Sequence, residues 1–202
     1  MKSLRESLLA DMDDVLNSGD EAIKNNIIKQ WLIENLKYGS SLCIISKKPN
    51  KDGKYEVSAS GDIAFKDTIS ALTNEIFIWT NVSGNFNCSK CYELTTLEGA
   101  PEKVGGNFSC NHCTNLTSLE GAPKKVGKDF NCDWCIKLTS LEGAPKEVGG
   151  NFKCSDCIKL KTLEGAPKKV EINFYCGHCG KKFTKQEINK LCKVHGEIYT
   201  FF

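Results

Sequence analysis

VGGNFSCNHCTNLTSLEGAPKK, residues 104–125, is one of four near-identical 22-residue phrases that run without a break from Val82 to Lys169. Its companions are VSGNFNCSKCYELTTLEGAPEK from Val82, VGKDFNCDWCIKLTSLEGAPKE from Val126 and VGGNFKCSDCIKLKTLEGAPKK from Val148. A fifth copy, VEINFYCGHCGKKF, begins at Val170 and decays. A fixed period of this length marks stacked coils, in which each repeat buries its apolar side against its neighbours. The apolar ladder within a coil is Phe108, Cys110, Cys113, Leu116 and Leu119. Phe108-Ser109-Cys110 reads as a short strand with Phe108 and Cys110 inward and Ser109 outward. The return path, Glu120-Gly121-Ala122-Pro123, is too short and too rich in glycine and proline for an α-helix, which predicts an extended or irregular convex side.

Written as F-x-C-x-x-C-x-x-L-T-S-L, the phrase resembles the cysteine-containing variant of the leucine-rich repeat over residues 82 to about 180. The string LTSLEGAPKKVGGNF, together with the opening MKSLRESLL, is also similar to tandem repeats of tailed bacteriophage proteins, including those of gut phages. The first resemblance implies about five coils with a β-strand face. The second implies a phage protein acting in the host cytoplasm, for which inhibition of a bacterial defence or regulatory factor is one plausible role.

The flanking segments predict an α+β cap over 1–80, a solenoid over 81–180 and a helix-strand cap over 181–202. Leu4, Leu8, Met12 and Val15 behind the Ser3/Glu6 capping box predict a helix over 4–17. Ile23, Ile27, Ile28, Trp31, Leu32 and Leu36 form the stripe of a second helix running to about Tyr38. Leu42–Ile45 and Tyr55–Ala59, separated by the turn Asn50-Lys51-Asp52-Gly53, predict a hairpin, and Asp62–Phe65 and Glu75–Thr80 two further strands. At the far end Thr184 and Glu187 form a capping box for a helix with Ile188, Leu191 and Cys192 on one side, followed by a strand over 197–202. Such caps are needed because an open solenoid end exposes apolar surface.

Lys and Arg number 27 against 25 Asp and Glu, so the net charge of +2 gives no basic stripe to favour nucleic acid or acidic membranes. Charges interrupt the N-terminal apolar residues and no stretch reaches the ~20 apolar residues of a membrane span, which predicts an intracellular, reducing setting. There the twelve cysteines, ten of them in the repeated CxxC, are expected as thiols or metal ligands. Zinc takes thiolates in a tetrahedron, and CxxC pairs from adjacent coils supply four sulfurs; Cys176, Cys179, Cys192 and His195 also have the spacing of a Cys3His site. Free cysteine is equally one of the most buried residue types, and the shared rhythm with Phe and Leu favours a core role. No cofactor is therefore expected, zinc remaining the open alternative.

Nothing in the chain has the pattern of a catalytic triad, phosphate loop or paired carboxylates, so no catalytic residue is named and a non-enzymatic role is expected. The row Glu98, Glu120, Glu142 and Glu164 reads as a solvated edge. Asn85, Asn107, Asp129, Asn151 and Asn173 make a column that is either structural or exposed for binding. The candidate partner-binding positions are Ser109, Asn131, Lys153 and Tyr175 on the strand face, with Lys90, His112, Trp134, Asp156 and His178 between the cysteines. Trp134 is the candidate anchor, because buried tryptophan dominates many contact energies. A protein-binding module engaging a host or viral protein is the expected function; a zinc-dependent nucleic-acid-binding protein and a structural virion component are the alternatives.

Overall fold

The computed structural model describes residues 21–201; the helix expected over 4–17 lies outside them. The described chain begins with helix α1 (Glu21–Asn35), then β1 (Leu36–Tyr38), β2 (Cys43–Ile45), β3 (Tyr55–Ala59), β4 (Ile63–Phe65) and β5 (Phe77–Val82). Two-residue strands follow in alternation: β6 (Phe86–Asn87), β7 (Lys103–Val104), β8 (Phe108–Ser109), β9 (Lys125–Val126), β10 (Phe130–Asn131), β11 (Glu147–Val148), β12 (Phe152–Lys153), β13 (Lys169–Val170) and β14 (Phe174–Tyr175). Helix α2 (Lys185–Leu191), β15 (Lys193–Val194) and β16 (Ile198–Tyr199) complete it.

These strands build a β-solenoid of about seven turns with two eight-stranded sheets, β1-β4-β6-β8-β10-β12-β14-β16 and β15-β13-β11-β9-β7-β5-β3-β2. Both sheets are parallel except at their first pairs, β1 with β4 and β2 with β3. The expected repeat solenoid is present, but the coil count and the convex side differ. The return path is no irregular convex surface: Lys103-Val104 and its equivalents pair in register as a second ladder, the lysine (Glu147 in one coil) outward and the valine buried.

The expected α+β cap also contributes a coil. Ile63 lies opposite Phe86 and Ala59 opposite Val82, so β3 and β4 continue the two ladders backward. At the other end β15 and β16 add a coil, with Val194 opposite Val170 and Ile198 opposite Phe174, and α2 is an insertion within it. The expected hairpin is present as Cys43 to Ile45 against Ala59 to Val57. Helix α1 stops at Asn35, short of Tyr38, because Leu36 leaves the helix to pair with Phe65. Its Ile28 and Leu32 are buried, whereas Ile23 is exposed. The Thr184/Glu187 capping box forms as expected at α2, and Ile188 and Cys192 are buried; Leu191, expected beside them, points to solvent.

The core is one continuous column of inward residues. Phe86, Phe108, Phe130 and Phe152 stack nearly parallel at 5.3–5.5 Å between centroids. Such pairs contribute about 0.5–1.5 kcal/mol each beyond the area they bury. The coils close tightly at Gly143, whose φ of +86° belongs to the left-handed region and whose missing Cβ would collide with the main chain at Glu120. Among the described residues no helix is long and apolar enough to cross a membrane.

Candidate functional site

The corner that follows sheet β6-β8-β10-β12-β14 is built by the CxxC segment. After the strand, Cys113 N–H bonds back to Cys110 C=O at 3.3 Å and Leu116 N–H to Cys113 C=O at 3.0 Å, which folds the segment into two successive turns. The first forces the residue before the second cysteine into the left-handed region. Lys90, His112, Trp134, Asp156 and His178 all adopt it, with φ between 51° and 63°. Their N–H groups are used in the stack, as in Trp134 N–H to Ser155 C=O at 2.9 Å, so the side chains are turned outward in a column.

That column is the one expected to carry binding, and its members touch. The rings of His112 and Trp134 stack at 5.6 Å and 11°, and His178 Nδ1 lies 3.5 Å from Asp156 Oδ1. Trp134 is 46% exposed, so much of its ring is open to solvent. Beside it a column missed in the sequence reading carries the exposed apolar residues Tyr92 and Ile158. The signal was available: the position after the second cysteine reads Tyr92, Thr114, Ile136, Ile158, Gly180, changing as freely as its neighbour.

The strand-face positions are more occupied with internal work. Asn131 Oδ1 accepts from Asp133 N–H at 2.8 Å, Lys153 Nζ pairs with Asp129 at 3.2 Å, and Tyr175 stacks on Tyr199 at 4.6 Å. Ser109 is half-buried between Asn87 and Asn131. The asparagine column is structural. Asn107 N–H donates to Asn85 Oδ1 at 2.7 Å, Asp129 N–H to Asn107 Oδ1 at 2.9 Å, Asn151 N–H to Asp129 Oδ1 at 2.8 Å and Asn173 N–H to Asn151 Oδ1 at 3.1 Å. Asp62 begins this ladder below Asn85 and Glu197 ends it above Asn173.

The inward cysteines form neither tetrahedra nor disulfides. The strand thiols donate forward to the next coil, Cys88 to Ser109 C=O and Cys132 to Lys153 C=O at 3.3 Å. The corner thiols donate backward, Cys113 to Cys88 C=O at 3.1 Å and Cys157 to Cys132 C=O at 3.2 Å. Burial pushes Cys132 and Cys154 well above the ordinary thiol range, and the neighbouring corner thiol of the next coil together with burial does the same for Cys88 and Cys110, while the same contacts lower the corner thiols Cys113 and Cys179. The strand thiols are thus the opposite of the activated thiolates that metal or redox chemistry needs.

The possible Cys3His set is not brought together. Cys176 is buried at a strand end, Cys179 donates to Cys154 C=O at 3.3 Å, and Cys192 caps α2. His195 Nδ1 instead lies 2.7 Å from Glu171 Oε2 beside the other sheet. Among the described residues no three His, Cys, Asp or Glu side chains are arranged to hold a metal ion.

At the centre of the corner Asp133 lies beneath this surface, its Oδ1 accepting from Ser155 N–H at 2.7 Å. Burial raises its carboxyl to about 6. The arrangement can therefore present a mixed aromatic, cationic and acidic strip, one side chain per coil, on a rigid support. The chain matches no family model, and no curated protein or solved structure matches it.

Proposed function

We propose that the chain is a non-enzymatic protein-binding module that engages its partner along Lys90, His112, Trp134, Asp156 and His178, with Tyr92 and Ile158 as apolar flanks. The left-handed backbone of that column carries the reading. A non-glycine residue in this region costs on the order of 1 kcal/mol, and a bulky one such as Trp134 is an outlier. Other left-handed positions of the same coils, Gly99, Gly121, Gly143 and Gly165, use glycine. Here five side chains of four kinds are held at a cost to folding, facing solvent, above a core whose residues do not change. Solenoids bind partners through such extended surfaces.

The likeness of the repeats to those of phage proteins supports a host or viral protein as the partner, met in the host cytoplasm, with inhibition of a defence or regulatory factor as one form of the activity. The test compares the wild-type chain with Trp134→Gly as bait in a bacterial host lysate. The reading requires a partner captured by the wild type and lost by a variant whose melting temperature is unchanged or raised. Equal capture by both removes Trp134 from the interface.

A further inference from the structure

The return side of the solenoid carries two rows of opposite charge. Glu120, Glu142 and Glu164 stand at the turn that leads into it, one per coil, and Lys124, Lys146 and Lys168 stand four residues further on, again one per coil. Main-chain bonds hold both rows in register: Lys146 N–H to Lys124 C=O at 3.1 Å, Lys168 N–H to Lys146 C=O at 2.9 Å, and Leu119 N–H to Glu142 C=O at 3.1 Å. Between the rows runs a strip of glycine, alanine and proline, and alongside the lysines it opens into a shallow groove of about 500 Å³ floored by Ala122, Ala144 and Ala166.

Both rows are exposed. Lys124 pairs with Glu102 at 2.6 Å; the other five charges have no ion-pair partner among the described residues. An acidic ligand in the groove would meet the lysines but also run beside the glutamates. A surface presenting the same two rows in mirrored order meets neither objection.

We propose that this face pairs with the same face of a second copy, the two solenoids lying parallel about a two-fold axis that runs along the coil stack. A two-fold contact is self-complementary by construction. Of the two in-plane axes, the one across the coils would lay glutamate on glutamate. The one along the stack exchanges the sides of the face while leaving each coil at its own height. It sets Glu120, Glu142 and Glu164 of each copy against Lys124, Lys146 and Lys168 of the other. Because both copies have the same coil spacing, the match does not drift, and the small residues between the rows let the backbones approach. Three coils give a contact below the roughly 1,000 Å² of a stable interface, so the pair is weak and concentration-dependent. The CxxC corners lie outside the contact, and the dimer would present two binding columns.

Sedimentation equilibrium of the full chain over a wide concentration range, at low and high salt, tests this. A dimer that weakens with salt is expected for the wild type. Lys124→Glu/Lys146→Glu/Lys168→Glu and Glu120→Lys/Glu142→Lys/Glu164→Lys should each weaken self-association at least about tenfold, and an equimolar mixture of the two should restore it. The corresponding Gln variants, checked for folding by circular dichroism, should weaken it less. Zero-length cross-linking of a mixture of isotopically labelled and unlabelled chains should join Glu142 of one copy to Lys146 of the other. A wild type that stays monomeric overturns the proposal, whether or not it binds poly-glutamate, as does a dimer indifferent to both reversals or a mixture that fails to associate.

Discussion

Cys135 donates its thiol proton to the main-chain carbonyl of Cys110, one coil back, at 3.2 Å. The same relation links Cys113 to Cys88, Cys157 to Cys132 and Cys179 to Cys154, so the repeated CxxC acts as a hydrogen-bonding stitch between coils. Metal ligation would take the thiol protons that these bonds donate and so break the stitch. The purified protein is therefore expected to carry well below one equivalent of zinc, and excess chelator should leave its melting temperature unchanged. Stoichiometric zinc by elemental analysis, with chelator-induced unfolding, would falsify this.

The stitch also ranks substitutions at Cys113. Serine keeps a donor aimed at Cys88 C=O and should cost about 1 kcal/mol, mainly for its shorter reach and an unfilled acceptor site. Alanine loses the donor and leaves a void, and should cost about 2 kcal/mol. Urea denaturation separates the two. Serine proving worse than alanine would mean that the thiol acts only as apolar volume.

Much of this was legible because a repeat shows its inward set directly. Phe, Cys, Cys, Leu and Leu could be placed in the core from residues 82–169 alone, and the hairpin and the Thr184/Glu187 box followed from local turn and capping chemistry. The outer coils were hidden because the register survives while the letters and the period change. Ile63 and Phe65 stand where the next coil has Phe86 and Cys88, at an offset of 23 residues, and Ile198 stands on Phe174 at an offset of 24. Strands of two residues have no periodicity to detect, which concealed the ladder of Lys103-Val104. The left-handed column was hidden for another reason: lysine, histidine, tryptophan and aspartate do not advertise a positive φ as glycine does, and only the double turn at the CxxC imposes it.

The asparagine ladder offers a test of the stack itself. Asn151 Oδ1 accepts from Asn173 N–H, and Asn151 N–H donates in turn to Asp129 Oδ1. Asn151→Ala removes the acceptor for the half-buried Asn173 N–H and should cost about 1–2 kcal/mol. Asn151→Asp keeps the acceptor but replaces the amide that donates to the Asp129 carboxylate at 3.1 and 3.2 Å with a second carboxylate, so it should be destabilising at pH 7 and recover towards the wild type as the pH falls to about 4. Equal losses for both variants at pH 4 in chemical denaturation would show that the side-chain oxygen is not the source of the stability.

Asp133 carries the clearest pH dependence. Its carboxyl is raised to about 6 by burial, against an unfolded value of roughly 3.9, with Lys153 opposing and Asp156 adding to the shift. The folded chain therefore holds the proton more tightly than the unfolded chain between about pH 4 and 6. Stability from this group rises as the pH falls through that window, and the cost of the charged form is fully present above it. A shift of about two units corresponds to at most about 3 kcal/mol. Asp133→Asn keeps an oxygen for Ser155 N–H and matches Asn111 in the preceding coil, while removing the buried charge. The variant should be more stable than the wild type by about 1–2 kcal/mol at pH 7.5, and the gap should close by pH 4. Chemical denaturation at the two pH values measures both terms, and a gap that is constant with pH would show that the carboxylate is not penalised by its burial.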